Sequence, residues 1–236
     1  MKIILRGLAF ILIILIIPAC ATIFPKKSEP QIQQLLVDEA RIVVDAFGID
    51  PEMKWGREYF KGAEGVLIIP DLYKGAWFFG ASGGKGILLV RDQEKDGWFG
   101  PAFYTIGSVS FGVQFGGQKS EAIILVMTKE GVELLQKTSV KLGGDGSVAI
   151  GPVGVGGQGA IAPTSLNADY ITIARSRGAF IGVSFDGAII HENYDWNKAY
   201  YGKPVRPIDI ITTHSAINPN ADELRSAVAK LMKTEQ

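Results

Sequence analysis

The sequence predicts an α+β fold, with a mainly antiparallel, glycine-rich β-sandwich or barrel-like body, amphipathic helices before it and one helix after it. Of the 29 glycines, 24 lie between Gly65 and Gly187, where they separate short β-branched and aromatic runs. Short strands interrupted by glycine are typical of antiparallel sheets with tight turns and close backbone approach. Helix-length segments do not alternate with these runs, which argues against a doubly wound parallel sheet.

Nine runs in this region are predicted to form strands. They span residues 66–69, 76–79, 87–90, 102–106, 109–115, 122–127, 148–150, 170–174 and 180–185. One short helix is predicted between them, over residues 129–137, because Val132, Leu134 and Leu135 follow a strand there.

The segment before the sheet has the apolar spacing of an amphipathic helix. Its apolar residues recur at intervals of three, four, seven and eight, and they are Ile32, Leu35, Leu36, Val43, Val44 and Phe47. Pro30 suits a first helical turn and Gly48 a helix end. A second, shorter helix is predicted over residues 51–61.

Two helices are predicted after the strands. Residues 193–201 are rich in aromatic side chains and are predicted to form a turn of helix. Residues 220–233 place Leu224, Val228 and Leu231 on one face, which predicts a C-terminal helix.

The first 20 residues have the features of an export signal. Lys2 and Arg6 precede the apolar stretch 7–17, which is shorter than the about 20 residues needed to span a bilayer. Ile17-Pro18-Ala19-Cys20 resembles the bacterial lipobox, which implies that Cys20, the only cysteine, is acylated after cleavage. An uncleaved N-terminal anchor is the alternative, and either arrangement tethers the body to a membrane.

The expected organisation is therefore a lipoprotein signal peptide over residues 1–20, a tether over 21–30 and a single domain over 31–236. Ala21 stands where an acidic residue would favour retention in the inner membrane. The lipobox resemblance thus implies a lipid-anchored protein of the bacterial cell envelope, in the outer membrane and facing the periplasm.

Composition argues against nucleic-acid binding and against most enzymes. The 24 Lys and Arg residues balance 24 Asp and Glu residues, so the cationic excess that phosphate backbones require is absent. One cysteine and two histidines leave little material for a metal site or for acid-base catalysis. We expect no cofactor, no metal and no nucleic-acid partner.

Three local patterns resemble catalytic or ligand motifs without completing them. Residues 154–159 match G-x-G-x-x-G, but Pro163 interrupts the helix that a dinucleotide site needs. Residues 80–86 are one residue short of a phosphate loop. His191, Glu192 and Asp195 are too few in nitrogen or sulfur ligands for a transition metal, and nothing ties His214 to an acid and a nucleophile.

The remaining signal is a basic and aromatic segment in the second helix. Lys54, Arg57 and Lys61 recur at spacings of three and four, with Trp55 and Tyr59 between them. Basic residues beside aromatic ones suit an anionic membrane surface. The alternative is that the N-terminal helices pack on the sheet and only their charges face water, which periodicity alone favours.

Several glycine and aromatic motifs resemble the SYLF lipid-binding domain family, whose eukaryotic members include yeast actin-binding proteins of endocytosis. Their order and spacing hold over residues 31–201. The motifs are residues 61–70 (KGAEGVLIIP), 80–86 (GASGGKG), 97–104 (GWFGPAFY), 107–116 (GSVSFGVQFG), 151–154 (GPVG), 176–180 (SRGAF) and 197–202 (NKAYYG).

The resemblance implies a non-enzymatic domain that binds phosphoinositides and other anionic membranes through its N-terminal helical region. On the matching positions it implies lipid contacts by Lys54, Arg57 and Lys61, and by Lys85 in the glycine-rich motif. Some eukaryotic members bind actin. Because a lipobox precedes the motifs here, we do not expect actin as the native partner.

We therefore predict an envelope lipoprotein that binds anionic lipid. One alternative is a structural or assembly protein that contacts an envelope protein through the aromatic residues Trp77, Phe78, Phe79, Trp98 and Phe99. Another is a carrier that encloses an apolar ligand in a hollow β body.

Overall fold

The structure is a computed structural model that describes residues 29–76, 79–92, 97–111, 116–150, 168–178, 185 and 187–233. Its helices are α1 (Glu29–Ile49), α2 (Lys54–Phe60), α3 (Lys129–Leu135), α4 (Tyr194–Tyr201), α5 (Pro207–Ile211) and α6 (Asp222–Lys233), with short 3-10 turns at Pro51–Met53 and Pro219–Ala221. Its strands are β1 (Gly65–Ala76), β2 (Phe79–Asp92), β3 (Gly97–Phe111), β4 (Gly116–Val126), β5 (Ser139–Lys141), β6 (Val148–Ile150), β7 (Tyr170–Gly178) and β8 (Ile189–Glu192).

The strands form one eight-stranded sheet in the order β5-β8-β3-β2-β1-β4-β7-β6. Neighbouring strands are antiparallel except β6 and β7, which are parallel. This confirms the predicted α+β class and the mainly antiparallel sheet.

The sheet is curled, because its two ends are joined by a short segment. β5 lies at one edge and β6 at the other, and only residues 142–147 separate them in sequence. Six residues span at most about 21 Å, whereas eight flat strands would extend over about 34 Å. The edges must therefore bend towards each other, which gives the barrel-like form.

Alternate residues of the strands face two separate cores. Val66 and Ile68 of β1 belong to the core on the outer face, whereas Leu67 and Ile69 belong to the core inside the curl. Tyr104 and Tyr170 lie fully buried in the inner core and donate hydrogen bonds to the carbonyls of Leu135 (2.6 Å) and Gly131 (2.8 Å). The curl thus encloses packed side chains.

Helix α1 covers the outer face, and its apolar stripe is buried there. The buried residues are Leu36, Val37, Ala40, Val43, Val44 and Phe47. The stripe therefore packs on the sheet, as the periodicity alone favoured. Ile32 and Leu35 of the predicted stripe instead remain about a third exposed, at 37% and 38%.

Helix α6 lies beside α1 and runs in the same direction. Gln34 near the start of α1 donates a hydrogen bond to the carbonyl of Asn220 (3.1 Å), just before α6. At the other end, Gly48 lies against the side chain of Leu231. Within the described ranges, no helix is long and apolar enough to cross a membrane.

The structure corrects several boundaries. The predicted strand 76–79 includes the last residue of β1, Ala76, and the first of β2, Phe79, and its residues 77 and 78 lie outside the described residues. Strands β5 and β8 and helix α5 were not predicted. Of the predicted strand 109–115, residues 109–111 form the described end of β3, and residues 112–115 lie outside the described residues. Most of the predicted strand 180–185 lies outside the described residues.

Candidate anion-binding groove

A cationic groove lies where β2, β3 and the end of α6 meet. It has a volume of about 260 Å³ and is lined by Lys61, Arg91, Gly97, Trp98, Ala229, Met232 and Lys233. We call these seven residues the cationic groove. Its lining combines three cations with the apolar side chains of Trp98, Ala229 and Met232, and this combination suits a phosphate-bearing headgroup.

The residues that line the groove come from β2, β3, α6 and the end of α2. Arg91 and Trp98 are direct cross-strand partners at the connected ends of β2 and β3. Trp98 is only 8% exposed because it packs in the outer core under α6. Met232 and Lys233 come from the last turn of α6, and Lys61 follows α2 directly.

The charge of the groove distinguishes it from two other surface grooves. Among its described lining residues the charged ones are Lys61, Arg91 and Lys233, a formal charge of +3, and Arg91 also lines the groove beside α3. The groove between α1 and α6 has Arg41 against Asp38 and Glu223, which sums to −1. The groove beside α3 has Arg91 and Lys129 against Glu64, Asp92 and Glu133, which also sums to −1 with His214 neutral.

Arg57, which was predicted to contact lipid, bonds to the end of α1 in the structure. One of its guanidinium nitrogens donates hydrogen bonds to the carbonyls of Phe47 (3.1 Å) and Asp50 (2.7 Å). The last carbonyls of a helix have no partner within the helix, so this contact satisfies them.

The other predicted lipid-binding residues are dispersed. Lys61 is exposed and lines the cationic groove, whereas Tyr59 packs against the outer core. Lys85 is exposed, with its Nζ 4.0 Å from the centre of the Trp196 ring. It lies six residues before Arg91 on β2, about 20 Å along the strand.

Three predicted residues cannot be placed. Lys54 and Trp55 begin α2, but their side chains lie outside the described part of the structure. Cys20, with the whole signal and most of the tether, also lies outside the described residues.

Comparison with known proteins identifies the family. The family model Ysc84, described as Las17-binding protein actin regulator, matches residues 107–231, which is more than half of the chain. The chain belongs to the Ysc84 family. This confirms the resemblance to SYLF domains that the glycine and aromatic motifs indicated.

Eukaryotic relatives of the Ysc84 family match the chain over part of their length. SH3 domain-containing YSC84-like protein 1 of Homo sapiens is 31% identical over 125 residues, which are 52% of this chain and 36% of the human protein. An SH3 domain-containing protein of Schizosaccharomyces pombe is 26% identical over 184 residues, 75% of this chain and 42% of that protein. Protein YSC84 of Saccharomyces cerevisiae is 28% identical over 166 residues, 70% of this chain and 35% of that protein. The chain therefore spans roughly a third to two fifths of the length of these relatives.

Of the two glycine-rich patterns that resemble nucleotide loops, the structure describes one. Residues 80–86 lie within β2, where they pair with β1 and β3 and form no loop. Residues 154–159 lie outside the described residues.

The two histidines of the sequence lie in different surroundings. Glu192 forms an ion pair with Arg206 (3.0 Å), and the described residues hold no cluster of three metal-binding side chains. His214 does lie near an acid, because its Nδ1 is 3.6 Å from an Asp92 carboxylate oxygen, which the sequence did not indicate. Its ring stacks on Phe99 at 3.6 Å between ring centres.

Most residues of the cationic groove were not predicted from the sequence as lipid contacts. Lys233 is far in sequence from the cross-strand pair Arg91 and Trp98, and it meets them only because the connected ends of β2 and β3 lie beneath α6. Trp98 was named as a residue of a protein-binding surface, but it is buried. Trp77 and Phe78 and the side chain of Phe79 lie outside the description.

Proposed function

We propose that this chain is an envelope lipoprotein of the Ysc84 family that binds anionic phospholipid membranes, and that the cationic groove holds the headgroup. The observation that carries the proposal is that three cations, Lys61, Arg91 and Lys233, line one groove together with the apolar side chains of Trp98, Ala229 and Met232. The proposed activity is binding, without catalysis, and the attachment of lipid at Cys20 and the periplasmic side of the outer membrane are parts of the same proposal.

The size of the groove favours a headgroup over a whole lipid. A volume of about 260 Å³ corresponds to eight or nine water molecules at about 30 Å³ each. A phosphate with its glycerol fits this space, and the acyl chains would remain in the bilayer. Each lysine or arginine near anionic headgroups contributes about 1 kcal/mol, and salt weakens this attraction.

The position of α1 allows the anchor and the groove to reach one membrane. Glu29, where the tether ends, lies at one end of α1, and the contact of Gly48 with Leu231 places the other end near the groove. The 21 residues of α1 span about 31 Å at 1.5 Å per residue. We therefore propose that α1 lies along the membrane, with the exposed Ile42 (58%) and Ile49 (84%) available for apolar contact.

The test is co-sedimentation of residues 21–236 with vesicles. Neutral phosphatidylcholine vesicles are compared with vesicles containing phosphatidylglycerol or cardiolipin, at low and high salt. We expect salt-sensitive binding to the anionic vesicles only, weakened at least tenfold by the double variant Lys61→Glu/Lys233→Glu. Lys129→Glu/Lys137→Glu, with the same change in net charge at exposed positions outside the groove, serves as the matched control.

Equal loss in both double variants would show a general charge effect and overturn the assignment to the groove. Binding to none of the vesicles would overturn lipid binding itself. A protein partner, as in the Las17 binding and actin regulation that the family description gives to relatives, or an enclosed apolar ligand would then be the candidate. Metabolic labelling with palmitate, compared between the wild-type chain and Cys20→Ser, tests the anchor.

A further inference from the structure

Both ring nitrogens of His214 face oxygen acceptors. The Nε2 atom lies 3.2 Å from the carbonyl oxygen of Ile211, and the Nδ1 atom lies 3.6 Å from a carboxylate oxygen of Asp92. A carbonyl oxygen only accepts hydrogen bonds, so Nε2 carries the hydrogen in this contact. In a neutral imidazole the other nitrogen has only a lone pair, which would point at the Asp92 carboxylate. Only the protonated imidazolium provides a hydrogen for both partners.

The ring of His214 is held in this position. It stacks on Phe99 with 3.6 Å between ring centres, and the side chains of His214 and Asp92 are only 11% and 16% exposed. The backbone of His214 has a φ of +53°, in the left-handed region that is uncommon for residues other than glycine. Such a conformation persists where the surrounding contacts hold it. The imidazole therefore cannot turn away from Asp92 without losing the stack on Phe99.

The pair of His214 and Asp92 adjoins the cationic groove. Asp92 follows the groove residue Arg91 in β2, and Phe99, which stacks on His214, follows the groove residue Trp98 in β3. Arg91 also lines the groove beside α3 together with Asp92 and His214. Because consecutive Cα atoms are about 3.8 Å apart, the pair lies within roughly 10 Å of the cationic groove, which is one Debye length at 0.1 M salt. A charge on His214 therefore acts on this groove.

Several other charged groups surround His214 in the described part of the chain. They are Glu64, Arg91, Asp92, Lys129 and Glu133, which line the groove beside α3, and Lys203, Asp209 and Arg225, which bond to the segment between α5 and α6. Residues 93–96, between β2 and β3, lie outside the described residues. With His214 neutral the groove beside α3 has a formal charge of −1, and protonation of His214 brings this charge to zero.

We propose that His214 controls the cationic groove in response to pH, an inference that rests on the lipid-binding function proposed above. Histidine side chains change charge near pH 6.5. At mildly acidic pH the imidazolium forms an ion pair with Asp92 and cancels the charge of that carboxylate beside Arg91. At higher pH His214 is neutral, and the charge of Asp92 weakens the attraction of the groove for anionic headgroups. Binding to anionic membranes therefore strengthens as the pH falls.

The expected effect is modest, because one elementary charge changes. A lysine or arginine at the surface of an anionic membrane strengthens binding about fivefold. Asp92 lies beside the cationic groove and does not line it. We therefore expect a change of about threefold between the two protonation states of His214.

The test is co-sedimentation of residues 21–236 with phosphatidylglycerol vesicles at pH 5.5 and pH 7.5 in low salt. The wild-type chain is compared with His214→Gln and Asp92→Asn. His191→Gln is the matched control, because His191 is the other histidine of the chain and lies exposed on β8.

We expect the wild-type chain and His191→Gln to bind about threefold more tightly at pH 5.5 than at pH 7.5. His214→Gln should keep the weaker binding at both pH values. Asp92→Asn should already bind at pH 7.5 as tightly as the wild-type chain does at pH 5.5. The same ratio between the two pH values in the wild-type chain and His214→Gln would overturn the control by His214 and leave lipid binding intact, whereas binding at neither pH would overturn both.

Denaturation midpoints at the same two pH values test the ion pair without lipid. An ion pair that forms only with the imidazolium stabilises the folded state at pH 5.5, and this contribution is lost as the pH rises to 7.5. On lowering the pH, the wild-type chain should therefore gain stability relative to His214→Gln, and Asp92→Asn should show no such gain. Equal shifts in all three chains would overturn the proposal.

Discussion

A Cβ atom on Gly84 would lie 2.4 Å from the carbonyl oxygen of Asp71. The register of β1 and β2 shifts between Ile68 and Asp71, and this irregularity brings the β1 backbone towards Gly84. Glycine at position 84 is therefore required by the fold, in contrast to Gly117, where an added Cβ would meet nothing within 4 Å.

Gly84→Ala should destabilise the protein, because backbone on both strands must move to relieve the contact. We expect the free energy of unfolding to fall by about 1–3 kcal/mol, as for overpacked sites. Gly117→Ala, where an added Cβ meets nothing within 4 Å, should change it by less than about 0.5 kcal/mol. Urea denaturation of both variants measures this, and equal effects would contradict the steric explanation.

Arg57→Ala should lower the free energy of unfolding, because Arg57 bonds to carbonyls at the end of α1. Loss of the hydrogen bonds to Phe47 and Asp50 should cost about 1.5–3 kcal/mol, the range for bonds to charged groups. Lys61→Ala, in the same segment, should leave stability within about 0.5 kcal/mol. Thermal unfolding of both variants separates the two roles, and an unchanged melting temperature for Arg57→Ala would show that the contact contributes nothing.

Asn197→Ala should destabilise the protein, because it removes a buried hydrogen bond between α4 and β3. Asn197 is fully buried, and its side-chain oxygen accepts a hydrogen bond from the backbone N–H of Phe103 (2.8 Å). Without the Asn197 side chain the buried N–H of Phe103 has no acceptor, and this should lower the free energy of unfolding by about 1–3 kcal/mol. Lys198→Ala, on the exposed side of the same helix, is the control, and chemical denaturation should show a loss only for the asparagine.

Asp169 should make stability depend on acid pH. Burial opposes ionisation, but hydrogen bonds from Ser147 and Thr128 hold the pKa of Asp169 below its ordinary value. The carboxylate therefore stabilises the fold above pH about 4, and this contribution is lost as the pH falls through the lowered pKa.

The measurement is the denaturation midpoint at pH 7, 5 and 3 for the wild-type chain, Asp169→Asn and the exposed control Asp195→Asn. The wild-type chain should lose more stability than Asp169→Asn between pH 5 and pH 3, whereas Asp195→Asn should follow the wild-type chain. Parallel losses in all three would contradict the role of Asp169.

The fold was predictable where one periodicity dominates a segment. The stripe of α1 and the glycine-separated runs of β1 to β4 gave the correct class, because burial on one face imposes the pattern locally. Strands β5 and β8 escaped prediction because each has only three or four residues, and their pairing is specified by tertiary contacts.

The candidate site was less predictable, because tertiary contacts bring its residues together. Lys61 was identified from its spacing with Arg57, yet the structure separates the two by role, one in the cationic groove and the other at the end of α1. Arg91 and Lys233 carry no local signal, since their proximity arises only from the path of β2 beneath α6.

The side-by-side packing of α1 and α6 also constrains when the protein can fold. Gln34 and Asn220, which bond across this contact, are 186 positions apart in sequence. Almost the whole domain must therefore be synthesised before α1 can pack against α6. Until then the side of α1 that packs against α6 remains uncovered and accessible to chaperones.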